Sequence, residues 1–217
     1  MKLGWLKRTL KAPARIRTGK GFGVHSPFAY AFITRVLRED LPFYAYSSQK
    51  SRYRKVRKNA VHHPFLTLKR IKLLFRTINY FSPESVLQIG SDNGLVTSAL
   101  LDVSSSMKIS RYGCDGDFLS SQVKDCRTLS GATSEQIPDI VIVVTENNDK
   151  EILPVLCKAV ENESVIIFPC IDHNPQISML WDSVNAAANY GMTFTNDRFG
   201  ILVAKKKLPR QKYTLWL

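Results

Sequence analysis

A doubly wound α/β sheet behind an all-helical front is the fold class this sequence predicts, and three observations predict it. From Ser85 onward short apolar runs recur, SVLQIG, MKISRYG, DIVIVV and SVIIFP, each bounded by Gly, Pro or Asp, as parallel strands covered on both faces are. Between them LVTSALLDV, DKEILPVLCKAVE and PQISMLWDSVNAAANYG suit the crossover helices of such a sheet. The eighty residues ahead of the first run read as helices.

In that front, Leu3, Leu6 and Leu10, with Trp5 among lysines, form a short amphipathic stretch that Pro13 limits to about three turns. Peripheral membrane contact is therefore not expected. In GFGVHSPFAYAFITRVLRED, Ser26 is an N-cap and Pro27 takes the first helical position, where its missing N–H costs nothing. Phe28, Ala31, Phe32 and Val36 follow at helical spacing. A second helix runs through SSQKSRYRKVRK, and a third through TLKRIKLLFRTINYF, where Leu68, Ile71, Leu74, Phe75 and Ile78 make the apolar stripe until Ser82-Pro83 ends it. At the other end, MTFTNDRFGILVAKKK predicts two antiparallel strands joined by a turn at Asn196, Asp197 and Arg198. Only 26 residues separate Tyr112 from Asp139, too few for two full crossovers and a strand. The expectation there is a helix at Phe118 to Asp125, a short strand at Arg127 to Ser130, and loop beyond. The division expected is a helical extension over residues 1–80 packed on a sheet domain over residues 81–217.

The chain of 217 residues is long enough to bury a sizeable core and has no run of about 18 apolar residues to span a membrane. Its basic start lacks the continuous apolar segment of a secretory signal, so the expected compartment is the cytoplasm. Cys114, Cys126, Cys157 and Cys170 include no CxxC pair and read as reduced, mostly buried thiols. The net charge of +13 is unevenly placed: +17 over residues 1–80, −9 over 81–204 and +5 over the last thirteen. A basic front of this kind attracts polyanions, whether RNA, DNA, acidic lipid or an anionic substrate, or it attracts the acidic body behind it.

The strand, Gly90-x-x-x-Gly94, helix sequence and the terminal hairpin resemble the class I S-adenosylmethionine-dependent methyltransferases. More narrowly, HSPF, INYFSPESVLQIGSDNG and FGILVAKKK resemble an uncharacterised bacterial branch of that family with a basic helical extension. The resemblance implies a Rossmann-like sheet of methyltransferase type and S-adenosylmethionine as cofactor. It implies a cofactor site at Gln88, Gly90, Ser91, Asp92, Gly94 and Tyr112, and an unidentified methyl acceptor. Several positions depart from the family's pattern. Gln88 stands where an acid meets the cofactor's ammonium group, and Tyr112 where a second acid holds the ribose. Gly131-Ala132 replaces a Gly-Asp pair, Val144 and Asn147 replace an acid and a histidine, and Pro169-Cys170 replaces two Asp. Losing the ribose acid and reducing the ammonium acid to an amide removes roughly 2–5 kcal/mol, about 30- to several-thousand-fold in affinity. Asp92, Asp115 and Asp117 are near enough in sequence to compensate.

Asp172-His173, after the fifth strand, is the candidate acid–base pair, and His25 before the first cap is a further candidate base. The doublet His62-His63 diverges as adjacent side chains do, so no metal site is expected. Phe43, Tyr44, Tyr46 and Tyr53 lie among Lys50, Arg52, Arg54, Lys55, Arg57 and Lys58, the mixture single-stranded nucleic acids use. Two functions follow: a methyltransferase with a degenerate cofactor site, or an inactive methyltransferase fold that binds an anionic partner such as nucleic acid.

Overall fold

The structure, a computed structural model, describes residues 12–114, 117–119, 127–128, 138–145 and 149–216. Helix α1 spans Ala12–Gly19 with Pro13 in its first turn, where a proline's missing N–H is tolerated. The stretch around Leu3, Leu6 and Leu10 lies outside the described residues. Helix α2, Pro27–Phe32, begins as the sequence predicts, the Ser26 hydroxyl accepting from the Ala29 N–H at 3.3 Å. It runs on into a π-helical turn, Ile33–Leu37, whose wider loop is closed by Arg38 N–H to Ile33 O at 3.1 Å. Helix α3 covers Tyr46–Asn59 and α4 covers Leu68–Phe81. Thr67 caps α4 by accepting from Arg70 N–H, and Ser82, in the left-handed region at φ 44°, ends it just before Pro83.

The sheet then forms in chain order: β1 Ser85–Ile89, α5 Leu95–Leu101, β2 Lys108–Tyr112, β3 Arg127–Thr128, β4 Ile140–Val143, α6 Asp149–Glu161, β5 Val165–Phe168, α7 Pro175–Ala187, β6 Met192–Thr195, β7 Gly200–Val203 and β8 Gln211–Thr214. The strands lie in the order β3-β2-β1-β4-β5-β7-β6-β8. The first five are parallel, and β7 runs antiparallel to both β5 and β6. The expected hairpin is present, its turn held by Asn196 Oδ1, which accepts from the N–H groups of Arg198 and Phe199 at 3.0 and 2.7 Å. Strand β8, parallel to β6, was not expected: only Tyr213 within it is buried, too sparse an alternation to register as a strand. Strand β3 is described at Arg127–Thr128, the first half of the strand expected to Ser130, and the rest of it lies outside the described residues, as does most of the helix expected over Phe118 to Asp125.

Both faces of the sheet are covered, which is why its strands read as unbroken apolar runs. Val86, Ile140, Ile142 and Ile167 pack with α2, α4 and α5, while Leu87, Val141, Val143, Ile166 and Phe168 pack with α6 and α7. Rings of the basic front also reach the core: Phe43, Tyr44 and Tyr46 meet Phe75 of α4 edge-on, with centroids 5.7 to 6.1 Å apart, Phe43 and Tyr46 half-buried and Tyr44 exposed. A polar residue, Gln88, sits fully buried in the middle of β1.

Candidate functional site

The carboxyl ends of β1, β2, β4 and β5 define the edge where open α/β sheets bind ligands. At the end of β1, Gly90 has φ +72°, and a side chain there would run into Oγ1 and the backbone of Thr145, beyond β4. The Gly90 N–H donates to Tyr112 O at 2.7 Å, which keeps β1 and β2 joined past the strand. Gly94, at φ +80°, opens α5, and a Cβ on it would stand 3.0 Å from the Leu119 Cβ. Close packing of the chain on itself therefore requires both glycines.

Gln88 occupies the position of the expected ammonium ligand, and both ends of its amide are used within the chain. Its Oε1 accepts from the Thr97 hydroxyl at 2.8 Å, and its Nε2 donates to Gly90 O at 2.9 Å. A primary ammonium group needs an acceptor, and Oε1, which keeps a second lone pair, is fully buried and turned toward Thr97. Asp92 is 1 % exposed and accepts from the N–H groups of Leu66 and Phe65, at 2.9 and 3.3 Å. Burial pushes its carboxyl up to about 6, against the pull of those backbone donors. With Asn93 Nδ2 donating to His62 O, these bonds pin the α3–α4 connection onto the glycine loop. Ser91 Oγ accepts from Gly94 N–H at 3.2 Å. Asp117 forms a buried ion pair with Arg111 of β2, and burial raises its carboxyl, opposed by its bonds to Ser91 and Arg111. Asp115 is outside the described residues, as are Gly131, Ala132 and Asn147.

Tyr112 closes β2, and its hydroxyl lies 3.3 Å from Glu151 Oε2 on α6. No sequence signal marks Glu151: 39 residues separate the pair, and the parallel pairing of β2, β1 and β4 brings them together. Beyond β5, Asp172 is held at 2.8 Å by Arg70 of α4 and at 3.4 Å by Arg198 of the β6–β7 turn. His173 is exposed and stacks on Phe65, centroids 4.0 Å apart, so the two members of the expected acid–base pair engage different neighbours. His25 is exposed one residue ahead of the α2 cap. Cys170 is buried, with Arg70 Nη1 donating to its sulfur at 3.0 Å. Burial pushes this thiol up to about 12, against the nearby guanidinium, so it stays protonated. Cys114 is likewise buried, its thiol donating to Gly90 O at 3.3 Å, Cys157 is half-buried, and Cys126 lies outside the described residues. Among the described residues no group of three or more His, Cys, Asp or Glu is placed to hold a metal ion, and no helix is long and apolar enough to cross a membrane.

Five parallel strands in the order 3-2-1-4-5, completed by an antiparallel strand between the fifth and sixth, define the class I methyltransferase fold. Solved structures agree. A methyltransferase from Geobacter sulfurreducens superposes with TM-score 0.51 at 12 % identity, over 83 % of this chain and 98 % of that one. A Podospora anserina methyltransferase solved with SAH gives 0.50 at 12 % identity, over 85 % and 98 %. A Staphylococcus aureus protein described as a caffeoyl-CoA O-methyltransferase gives 0.51 at 12 % identity, over 72 % and 91 %. At such identity the likeness is one of fold. No protein-family model matches the sequence, and no curated protein does either.

Tested against the cofactor of that fold, the described residues divide. The backbone of the glycine loop has the required shape, with left-handed φ at Gly90 and Gly94. The carboxylates do not fit: Asp92 and Asp117 are consumed by the chain's own donors, and Gln88 is turned inward. Glu151 is the described carboxylate that reaches the end of β2.

Proposed function

We propose that this chain is a methyltransferase-fold protein with a degenerate S-adenosylmethionine site. The glycine-loop backbone and the Tyr112–Glu151 pair take the cofactor in place of the family's two acids. The observation that carries this reading is Gln88, buried at the ammonium position with Thr97 and Gly90 O as its partners. Losing roughly 2–5 kcal/mol of charge-assisted bonding moves a micromolar cofactor to a dissociation constant of about 30 µM to several mM. Titration calorimetry with S-adenosylmethionine is expected to give a value in that range, weakened severalfold by Glu151→Gln. Submicromolar binding would contradict the degenerate site, and silence at the highest soluble cofactor concentration would remove the cofactor from the reading. Gly90 substitutions are unsuitable here, because they test the fold through Thr145. Asp172 and His173, at the carboxyl edge of β5, are the proposed polar groups beside the methyl acceptor, with Asp172 oriented by Arg70.

A second reading, a binding module for an anionic partner, is favoured by α3. Lys50, Arg54, Arg57 and Lys58 are exposed along a helix that contains no acidic residue. Arg52 does not belong to that face: it is largely buried in an ion pair with Asp102, whose carboxylate also accepts from Gln49 Nε2. Retention on immobilised RNA is expected to fall with salt, with a slope of about −0.7 per phosphate neutralised. Arg54→Glu with Arg57→Glu should reduce it if α3 carries the contact. Absence of salt-dependent retention by the wild-type chain would sink this reading, whereas an Arg52 variant would report only on folding.

A further inference from the structure

A groove of about 550 Å³ runs beside the amino-terminal half of α4. Lys69, Lys72 and Arg76, at helical spacings of three and four, form one wall. Arg38, from the end of the π-helical turn, and Trp216, from beyond β8, line it as well. Trp216 is 47 % exposed. The wall is set in advance by Arg76, which donates to Val36 O and Leu37 O at 2.8 and 3.2 Å and to the Tyr46 hydroxyl at 3.0 Å. Lys72 Nζ stands 4.3 Å from the centre of the Tyr46 ring. A smaller hollow of about 120 Å³ shares Lys69 and Leu73 with the groove and adds Arg70 and Arg198. The two make a cationic track from Trp216 to the Arg70–Asp172–Arg198 cluster beyond β5.

We propose that this track binds single-stranded nucleic acid, with phosphates along Lys69, Lys72 and Arg198 and a base stacked on Trp216. The inference rests on the anionic-partner reading and moves its contact from α3 to the groove. The combination of ring and groove decides the location. Single strands combine a positive groove with accessible rings; Phe43 and Tyr46 are half-buried against Phe75, and Tyr44, though exposed, is held edge-on to Phe75 with its hydroxyl donating to Asp102 O. Carboxylates at Glu39 and Asp40 also line the groove. They repel phosphate and carboxylate alike, so the exposed Trp216 ring, on which a base stacks and an acidic side chain does not, is what favours a nucleic acid over an acidic peptide.

The test is fluorescence anisotropy of a short fluorescein-labelled oligouridylate with the full chain. Trp216→Ala is expected to weaken binding about tenfold, as loss of one stacked base does, and Trp216→Phe to restore most of it. Lys69→Glu, at an exposed position, should weaken binding further and make the salt slope shallower by about 0.7 or more. Arg54→Glu with Arg57→Glu should leave oligouridylate affinity within about threefold if the groove carries the contact. Wild-type affinity in Trp216→Ala or Lys69→Glu overturns the groove. Loss confined to the α3 variant also overturns it and keeps the broader anionic reading. Displacement by polyglutamate at equal charge overturns the assignment to nucleic acid, and absence of binding by the wild-type chain overturns both readings. Cofactor calorimetry is independent of all these outcomes.

Discussion

Gln88→Glu is expected to destabilise the fold by about 3 kcal/mol at pH 7 and to leave cofactor affinity no better. A site that had merely exchanged a carboxylate for an amide would respond in the opposite way, because restoring the acid would restore the ammonium contact. The difference arises from burial. Nε2 donates to Gly90 O at 2.9 Å inside a strand where Gln88 has no exposed surface, so a carboxylate there faces a carbonyl oxygen and loses the donor between them. Only the bond from Thr97 survives the change. The pH dependence has a definite sign. Burial and the facing carbonyl raise the new carboxyl above its unfolded value, so between the two values the folded chain binds more protons than the unfolded one. The deficit should shrink as pH falls, when the protonated acid can again donate to Gly90 O, and grow as pH rises. Urea unfolding of both proteins at pH 5 and pH 7 measures it. Unchanged stability accompanied by tighter S-adenosylmethionine binding would show that the side chain faces the ligand.

Asp117→Ala is expected to cost about 3–5 kcal/mol, as breaking a buried ion pair from one side does. Arg111 sits in β2 with its side chain 7 % exposed, its partner's is 4 % exposed, and its Nε has no hydrogen-bond partner. Removing the carboxylate leaves a guanidinium that cannot reach water or lose its proton. The acid also ties Ser91 of the glycine loop, so the loss extends to the turn after β1. Replacing Arg111 by Met and Asp117 by Leu together is expected to cost much less than the single change. A double-mutant cycle by denaturant unfolding reads this directly. Additive losses would mean that the two residues do not act as a pair, and Asp117 would again be available to a ligand.

Much of this fold was legible in the sequence for reasons that are local. The Ser26-Pro27 cap, the α4 stripe ending at Ser82-Pro83, the four apolar strand runs and the hairpin turn at Asn196 all depend on residues within one turn or one strand of each other. Strand β8 was not legible, since a short edge strand with one buried residue lacks the alternation that reveals a strand. Nor was helix α1 at Ala12–Gly19, because a proline reads equally as the end of one helix or the first turn of the next. At the candidate site, the identity of each departure from the family pattern could be read directly: an amide at Gln88 and a phenol at Tyr112. Which way the amide pointed, and what the neighbouring acids were holding, could not.

The amino-acid sequence by itself determined the architecture, a parallel sheet with helices on both faces, because apolar periodicity and turn chemistry are properties of neighbouring residues. It also determined that an amide, Gln88, and a phenol, Tyr112, stand at the two positions where the resemblance leads one to expect acids. Only the tertiary structure decided where the remaining acids went: Asp92 to the backbone of Phe65 and Leu66, Asp117 to Arg111, Glu151 to Tyr112 and Asp172 to Arg70. It alone placed Trp216 beside the cations of α4. Hydrogen bonds and ion pairs act over a few ångströms in space and carry no periodic trace along the chain, so partners separated by 6 to 102 residues become visible only once the fold has brought them together.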